Sequence, residues 1–247
     1  MDTAFNLGEA RLRTEVAACT LLLNMEGLLG YSGHVSVRLP GQDAFLIQPV
    51  DQSRAELTPD HLLVVDFEGD TISGPEGVKP PSERFIHSEI LKARPDVNAV
   101  AHFHPEIATL FTLVEDIPLR PMKNHASRWA SGIPVHPDPG HVNSPALGLA
   151  LAETLNGHQA LLIRAHGAVL VAESVPAILV DSVHFEENAR ALQRAASMGK
   201  PAPLTADEME SFRGRFNREK HVAKLWKYYL GKGYGSGVLP AEWAAMP

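Results

Sequence analysis

Short apolar strand segments alternate with single amphipathic helices along most of this 247-residue chain. Since each strand face and each helix stripe must bury its apolar side, this order predicts an α/β fold in which helices cover a mixed sheet. Apolar alternation and short apolar runs predict strands at 35–39, 45–47, 62–65, 97–104, 160–163 and 168–171. Apolar spacing and end signals predict helices at 9–29, 82–94, 144–157, 174–199 and 205–230.

Capping residues mark where the helices begin. Ser82 follows two prolines and is predicted to cap the second helix, and Ser144 is predicted to cap the third. Ser174 is predicted to begin a long fourth helix that ends at Gly199. Thr205 opens a capping-box pattern, which predicts one last helix.

The chain contains neither an internal repeat nor a composition break that would mark a linker. We therefore expect a single domain over residues 1–247, with a core at about 10–200 and a helical C-terminal appendage at about 205–247. No apolar run reaches the roughly 18 residues of a membrane-spanning helix. The first residues lack the pattern of a secretory signal, so we expect a cytoplasmic protein.

The charge balance limits the classes of partner. Twenty-two basic and 29 acidic residues give a net charge of −7. An acidic chain of this kind is not expected to bind nucleic-acid phosphates or an anionic membrane surface. The single Cys19 excludes an internal disulfide framework and any cysteine-rich zinc module.

The 12 histidines of the chain include a His-x-His pair at His102 and His104. Alternate strand side chains share one face, about 6–7 Å apart, so both imidazoles can bind one metal ion. By itself the pair is equally consistent with two buried histidines bonded to the backbone. His166 is a third candidate ligand, because it lies just past an apolar strand and before Gly167, where a backbone can approach its neighbour closely. Its ordinary interpretation is a loop histidine before a tight turn.

Glu83 lies at the predicted start of the second helix, where the helix dipole favours a carboxylate. It is interpreted either as helix-start electrostatics or as an acid–base group. His87 lies one turn further on the same face and can pair with it. The proline-rich stretch 134–145 is interpreted either as a long loop beside a site or as an ordinary connection.

Four segments together resemble the class II aldolase/adducin family: GHVSVR at 33–38, PSERFIH at 81–87, RPDVNAVAHFH at 94–104 and RAHGAV at 164–169. The resemblance extends from about residue 10 to residue 200. It implies helices on both sides of a mixed, largely antiparallel sheet, and homotetramers of four-fold symmetry with sites between subunits.

The resemblance also assigns roles to four residues. It implies that His102, His104 and His166 bind one divalent metal ion, which can be Zn, Mn, Fe or Co. It implies that Glu83 is the acid–base residue or a further metal ligand.

The chain departs from the sugar-phosphate aldolases of that family where they hold phosphate. SGH at 32–34 replaces their Gly-Gly-Asn, QPVDQSR at 48–54 replaces a Thr-Pro-Ser-Gly-like loop, and Pro81 replaces one of two serines. A phosphate cradle needs convergent N–H and hydroxyl donors, so we expect a substrate without phosphate. Three segments, GHVSVR at 33–38, ERFIH at 83–87 and EENAR at 186–190, are instead similar to the family's hydroxyaromatic and hydroxypyridine dicarboxylate decarboxylases.

Four further residues are predicted to contact a small carboxylate substrate: His34, Arg54, Ser82 and His125. The Arg54 guanidinium can bind a carboxylate through two parallel hydrogen bonds. His34 and His125 can bond a hydroxyl or protonate a product. The arginine is equally interpreted as a solvated loop residue, and the histidines as satisfied structural residues.

The function implied is a metal-dependent carbon–carbon lyase that decarboxylates a small, non-phosphorylated hydroxyaromatic acid. A bound metal stabilises an enolate or phenolate, and Glu83, whose pKa burial can raise, delivers a proton to carbon. Three alternatives stay open: an aldolase acting on a small hydroxy-carbonyl compound, an Fe(II)-dependent oxidative decarboxylase, and a non-catalytic adducin-like interaction domain. An adducin-like interaction domain lacks the metal-binding residues that this chain has.

Aromatic residues cluster near the C-terminus. They are Trp226, Tyr228, Tyr229 and Tyr234. Since exposed aromatic clusters mark contact surfaces, we interpret them as part of a homotetramer interface near the mouth of the site, and intramolecular packing is the alternative.

Overall fold

The computed structural model describes the backbone of residues 2–245 and the side chains of residues 8–244. Within that range the strands are β1 (His34–Arg38), β2 (Ala44–Ile47), β3 (Leu63–Asp66), β4 (Thr71–Ser73), β5 (Ala99–Phe103), β6 (Val135–His136), β7 (Ala160–Ile163) and β8 (Gly167–Ala172). The α-helices are α1 (Asp2–Met25), α2 (Arg84–Ala93), α3 (Glu106–Leu110), α4 (Pro145–Leu155), α5 (Val175–Met198), α6 (Ala206–Arg213) and α7 (Arg218–Gly235). Short 3-10 helices lie at Pro59–His61, Asn124–Trp129 and Ala241–Ala245.

The strands form one sheet in the order β4-β3-β2-β1-β5-β8-β7-β6. All neighbouring strands in it are antiparallel except β6 and β7, which are parallel. The predicted mixed, largely antiparallel sheet is therefore confirmed. In the part of the chain that the structure describes, no helix combines the length and apolarity needed to cross a membrane.

Helices cover both faces of the sheet. On one face, buried side chains of β1, β5 and β8 pack in a single core with α1 and α5. On the other, Val100 and Val171 pack with Ile86 of α2 and Leu151 of α4. Each fully buried Leu, Ile or Val side chain contributes about 1.5–3 kcal/mol to folding, so the two cores together hold the central strands rigidly.

Most helix ends lie where their caps predict. The side chain of Ser144 accepts a hydrogen bond from the N–H of Leu147, and that of Ser174 accepts one from Ala177. The prediction that Ser82 caps α2 is wrong, because the cap position is Glu83 and its side chain makes no capping bond.

The C-terminal segment differs from the single predicted helix. The Thr205 capping box is present, but α6 ends after Arg213 and α7 begins anew beyond Asn217. The Asn217 side chain accepts a hydrogen bond of 2.9 Å from the N–H of Lys220, so this residue caps a second helix. The apolar pattern over 205–230 predicted one continuous helix, but the segment forms two helices, each with its own N-cap residue.

The C-terminal aromatic residues pack mostly within the chain. Tyr229 is buried in the core on the α1 and α5 face, and Trp226 and Tyr234 pack against that core. Only Tyr228 of the four is largely exposed, at 59%. The intramolecular alternative therefore accounts for three of the four aromatic rings.

Candidate metal centre

The imidazole of His102 is oriented by the sheet. Its Nδ1 lies 3.0 Å from the carbonyl oxygen of Ala168 on the neighbouring strand β8. A carbonyl only accepts, so Nδ1 carries a hydrogen, and Nε2 is the ring nitrogen left to face the site. That Nε2 is buried and has no hydrogen-bond partner among the described residues.

Two further imidazoles surround the same space. His104 follows β5, and its Nδ1 lies 3.2 Å from the hydroxyl of Ser32. His166 lies in the turn between β7 and β8, and its ring stacks on that of His104 with centroids 5.2 Å apart. One ligand atom from each of the three histidines lies within 4.8 Å of the others. The structure thus brings together the three predicted ligands.

The turn that carries His166 depends on a close backbone approach. A Cβ atom added at Gly167 would lie 2.4 Å from the carbonyl oxygen of Phe103, so glycine alone lets the turn lie against β5. Ala165 has a φ of 54°, and its N–H donates to the Thr112 hydroxyl at 2.9 Å. These contacts hold the backbone on both sides of His166 in place.

Glu83 closes the space between the imidazoles. Its Oε2 lies 3.5 Å from Nε2 of His102 and 3.8 Å from Nε2 of His34, and its Oε1 lies 3.7 Å from Nε2 of His166. The N–H of Val142 donates to Oε1 at 3.3 Å. Since Nε2 of His102 faces a carboxylate oxygen, the space between them suits a cation, either a proton on the ring or a metal ion.

The residues present fit a divalent metal ion. Burial, and then the neighbouring rings, lowers the pKa of His104 to about 3 and also lowers the pKa of His166. Both rings are therefore neutral at pH 7, with lone pairs free to bind a metal. Three imidazoles with an adjacent carboxylate form a donor set that Zn²⁺, Mn²⁺, Fe²⁺ and Co²⁺ accept.

The carboxyl group of Glu83 does not have the raised pKa that we expected. Burial alone raises it, but the contacts with His102 and His34 outweigh burial and hold the pKa of Glu83 well below its ordinary value. The group is therefore a carboxylate in the resting site, and it can accept a proton before it donates one.

His34 belongs to a buried chain of polar side chains. Its Nδ1 shares a 2.6 Å hydrogen bond with Nε2 of His87, and Nδ1 of His87 shares another of 2.6 Å with the Ser36 hydroxyl. The structure therefore pairs His87 with His34 rather than with Glu83. Burial is the largest cause that lowers the pKa of His34, which falls to about 4.

Arg54 lies close to this chain but is largely occupied by the backbone. Its Nε donates to the carbonyl oxygen of Gly33, and its Nη1 donates to those of Val50 and Gln52. The guanidinium thus ties the 48–54 loop to the segment before β1. Its charge still reaches the site, since it contributes to lowering the pKa of His34.

Two predicted substrate contacts lie elsewhere in this chain. Ser82 is exposed and lines a separate cavity together with Thr71 and Lys79. His125 stacks on His184, with ring centroids 4.0 Å apart, and neither ring joins the metal group. Burial, and then His184, lowers the pKa of His125 to about 4.

Several residues of the site escaped the sequence analysis. Ser32, Ser36 and Val142 orient the predicted residues through hydrogen bonds. The ring of His141 lies 5.7 Å from that of His166. His141 lies in the proline-rich stretch 134–145, whose interpretation as a loop beside a site was the one signal that pointed to it.

The fold and this centre define an α/β protein with a group of three histidines that could hold a metal ion, next to one carboxylate. The sequence pattern of the class II aldolase and adducin N-terminal domain matches residues 14–192. The chain belongs to the class II aldolase and adducin family, as its motifs predict.

The relatives of known name include aldolases and decarboxylases. The chain is 32% identical over 200 residues to the 5-methylthioribulose-1-phosphate/5-deoxyribulose-1-phosphate aldolase of Rhodospirillum rubrum, covering 79% of this chain and 86% of that protein. It is 26% identical over 242 residues to the 3,4-dihydroxyphthalate decarboxylase of Arthrobacter keyseri, covering 92% and 95%. Among solved structures, an aldolase II superfamily protein from Pseudomonas syringae superposes with a TM-score of 0.80 at 24% identity, covering 93% and 94%.

Proposed function

We propose that this protein is a metal-dependent carbon–carbon lyase that decarboxylates a small, non-phosphorylated hydroxyaromatic carboxylic acid. The observation that carries the proposal is the position of the Glu83 carboxylate. It lies within 3.5–3.8 Å of one nitrogen each of His34 and of two candidate metal ligands, His102 and His166. The predicted class of enzyme agrees with the names of the two relatives given above, an aldolase and a decarboxylase. A non-catalytic adducin-like role leaves this donor set without a purpose.

His102, His104 and His166 are the residues that would hold the ion, as the family resemblance implies. A divalent ion bound there supplies Lewis-acid stabilisation of the negative charge that decarboxylation leaves on the substrate. The identity of the ion is open among those that accept imidazole. The hydrogen bond that His102 donates to the Ala168 carbonyl and the one that His104 shares with the Ser32 hydroxyl fix two of the rings, and such outer contacts orient ligands and tune their basicity.

Glu83 moves the proton in this proposal. As a resting carboxylate it takes the proton of the substrate hydroxyl at a carboxylate oxygen. The carbon–carbon bond to the carboxyl group then breaks, carbon dioxide leaves, and the electron pair stays on the ring carbon. Glu83 returns the same proton to that carbon, which leaves the product as a phenolate, and the phenolate oxygen takes a proton from solvent on release.

His34 holds a supporting position. Its Nε2 faces Glu83 at 3.8 Å, while its Nδ1 is bonded to His87, which Ser36 fixes in turn. The His34 ring cannot turn away from Glu83 without breaking its buried hydrogen bond to His87, and His87 cannot follow because Ser36 holds its other nitrogen. Breaking such a bond costs about 1–3 kcal/mol. His34 therefore positions Glu83 and the substrate hydroxyl.

The loop at 48–54 supports a substrate without phosphate. Gln48 and Arg54, which lie where a phosphate cradle is expected, donate to the carbonyl oxygen of Gly33. Donors already bound to the backbone are not free to converge on a phosphate.

An aldolase is the second candidate, because the 32% identity to the Rhodospirillum rubrum protein exceeds the identity to the decarboxylase. Retro-aldol cleavage and decarboxylation both leave a carbanion beside an oxygen, so one site serves either reaction. We also propose that the protein acts in the cytoplasm as a homotetramer that takes substrate contacts from a second subunit.

Metal-free protein supplied with single metals tests this proposal. Each of Zn²⁺, Mn²⁺, Fe²⁺ and Co²⁺ is added back, and carbon dioxide release is measured from hydroxy- and dihydroxy-substituted aromatic dicarboxylates. We expect release with at least one metal and none without. Cleavage of 5-deoxyribulose 1-phosphate alone would favour the aldolase, and oxygen consumption during turnover would favour oxidative decarboxylation.

A further inference from the structure

A second group of ligand atoms lies outside the site described above. His125 belongs to the 3-10 helix Asn124–Trp129, and His184 and Glu187 lie three residues apart on α5. One ligand atom from each of these three residues lies within 4.8 Å of the others. Residues three apart on a helix share one face, so α5 presents an imidazole and a carboxylate together to the His125 ring.

Two buried nitrogens near this group have no partner. Nε2 of His125 and Nε2 of His221 are buried without a hydrogen bond to any described residue. The His221 ring, on α7, lies 5.4 Å from that of His184. Buried polar atoms of native proteins are nearly always bonded, and an ion is one of the ordinary explanations for an exception.

A cavity of about 400 Å³ opens beside the group. His125, His184 and His221 line it, and so do Arg128 and Arg218, whose charges are paired with the Asp181 carboxylate. Because His125 and His184 line this cavity, a metal ion held by them would be reachable from it, as the ions of catalytic zinc sites are.

We propose that His125, His184 and Glu187 bind a second divalent cation of the Zn²⁺ class, with its open position facing the cavity. Two imidazoles and one carboxylate form an established donor set for zinc. Lys123 lies 3.7 Å from Glu187, so without a metal its ammonium group holds the carboxylate near the rings. The cation replaces that contact on binding.

The proposal is independent of the lyase activity, because none of its ligands belongs to the first site. Its readout is the number of metal ions per chain. Metal-free protein is titrated with Zn²⁺ alone and weighed by native mass spectrometry, and bound Co²⁺ is followed in parallel by its visible absorption.

The unmodified chain is expected to bind two Zn²⁺ ions. His184→Gln and Glu187→Gln are each expected to bind one, and His102→Ala is expected to bind one at the second site. The matched control is His158→Gln, which changes a histidine that belongs to neither group and is expected to bind two. Since Glu187 is 45% exposed, its replacement tests the site without disturbing the core.

Two outcomes overturn the proposal. One is a single Zn²⁺ in the unmodified chain that His102→Ala removes. The other is two ions in Glu187→Gln with the Co²⁺ spectrum of the unmodified chain, because the carboxylate is then no ligand. Loss of one ion and of its part of the Co²⁺ spectrum in Glu187→Gln supports it.

Discussion

The two histidine groups of this chain are built on different scaffolds. The first group takes its rings from β5 and from the turn before β8, and the hydrogen bonds of His102 and His104 aim two of them. The second takes its rings from a 3-10 helix and from α5, and holds His125 and His184 by stacking. A ring fixed by a hydrogen bond loses little freedom when a metal binds, so the first group is preorganised and the second is adaptable.

From this comparison we expect the first group to bind a metal ion more tightly than the second. The carboxylates differ in the same sense, because Glu83 is 12% exposed against 45% for Glu187. A buried carboxylate among imidazoles is suited to moving a proton, whereas a half-exposed one paired with a lysine is not.

The largest effect is expected from removing a ligand of the first group. His166→Ala should weaken metal binding there by more than about 100-fold, because changes to outer contacts alone weaken it by about 10–100-fold. Activity should fall to background at equal total metal. Competition with a metal-sensitive dye measures the affinity, and full occupancy at unchanged affinity would show that His166 is no ligand.

The next largest effect is expected from Glu83→Gln, which separates the reaction rate from metal binding. Glu83→Gln should lower the decarboxylation rate by about 10²–10⁴, the usual contribution of a proton-transfer group, while the metal stays bound. The matched control is Glu76→Gln, at an exposed acidic residue outside both groups. Near-normal turnover of Glu83→Gln at full occupancy would move the proton role to another group, and His34 is the next residue to test.

Sequence reasoning reached the first group and missed the second for a physical reason. Strand periodicity places His102 and His104 on one face without knowledge of the rest of the fold. The family motifs then supply His166 and Glu83. His125 and His184 are 59 positions apart and meet only because the 3-10 helix packs against α5, which no local pattern encodes.

The same limit explains the errors in local structure. The Ser82 cap was mistaken because the favoured residue type was present, although the backbone begins its helix one residue later. The pairing of His87 with Glu83 followed from helix spacing, yet the ring bonds across the sheet to His34. Tertiary contacts decide both cases, and short-range rules do not include them.

Glycine-to-alanine changes beside the two histidine groups are expected to have a smaller effect, on stability. Gly167→Ala places a Cβ atom 2.4 Å from the carbonyl oxygen of Phe103, so the His166 turn must shift, at about 1–3 kcal/mol of unfolding free energy. Gly157→Ala, beside the second group, meets nothing within 4 Å. It should change stability by no more than about 1 kcal/mol, in the stabilising direction.

Urea unfolding of the metal-free proteins measures both glycine variants. The first should also weaken metal binding, since it moves a ligand, while the second should not. Equal stabilities of Gly167→Ala and Gly157→Ala would mean that the turn has room to spare, and the close approach would not be what holds His166 in place.

The smallest expected effect is the pH dependence of the free energy of unfolding, to which both histidine groups contribute. Burial and neighbouring rings lower the pKa of His104 to about 3 and the pKa of His125 and His184 to about 4, from an ordinary 6.5. Between pH 4 and pH 6.5 the unfolded chain binds protons on these histidines that the folded chain does not bind, so the free energy of unfolding rises with pH in this range.

The stability that these histidines contribute is complete above pH 6.5 and is lost as the pH falls toward 4. Urea unfolding of metal-free protein across this range should show that slope, and His104→Gln and His184→Gln should each flatten it. A stability that rises as the pH falls from 6.5 to 4 would contradict the buried, neutral state of both groups.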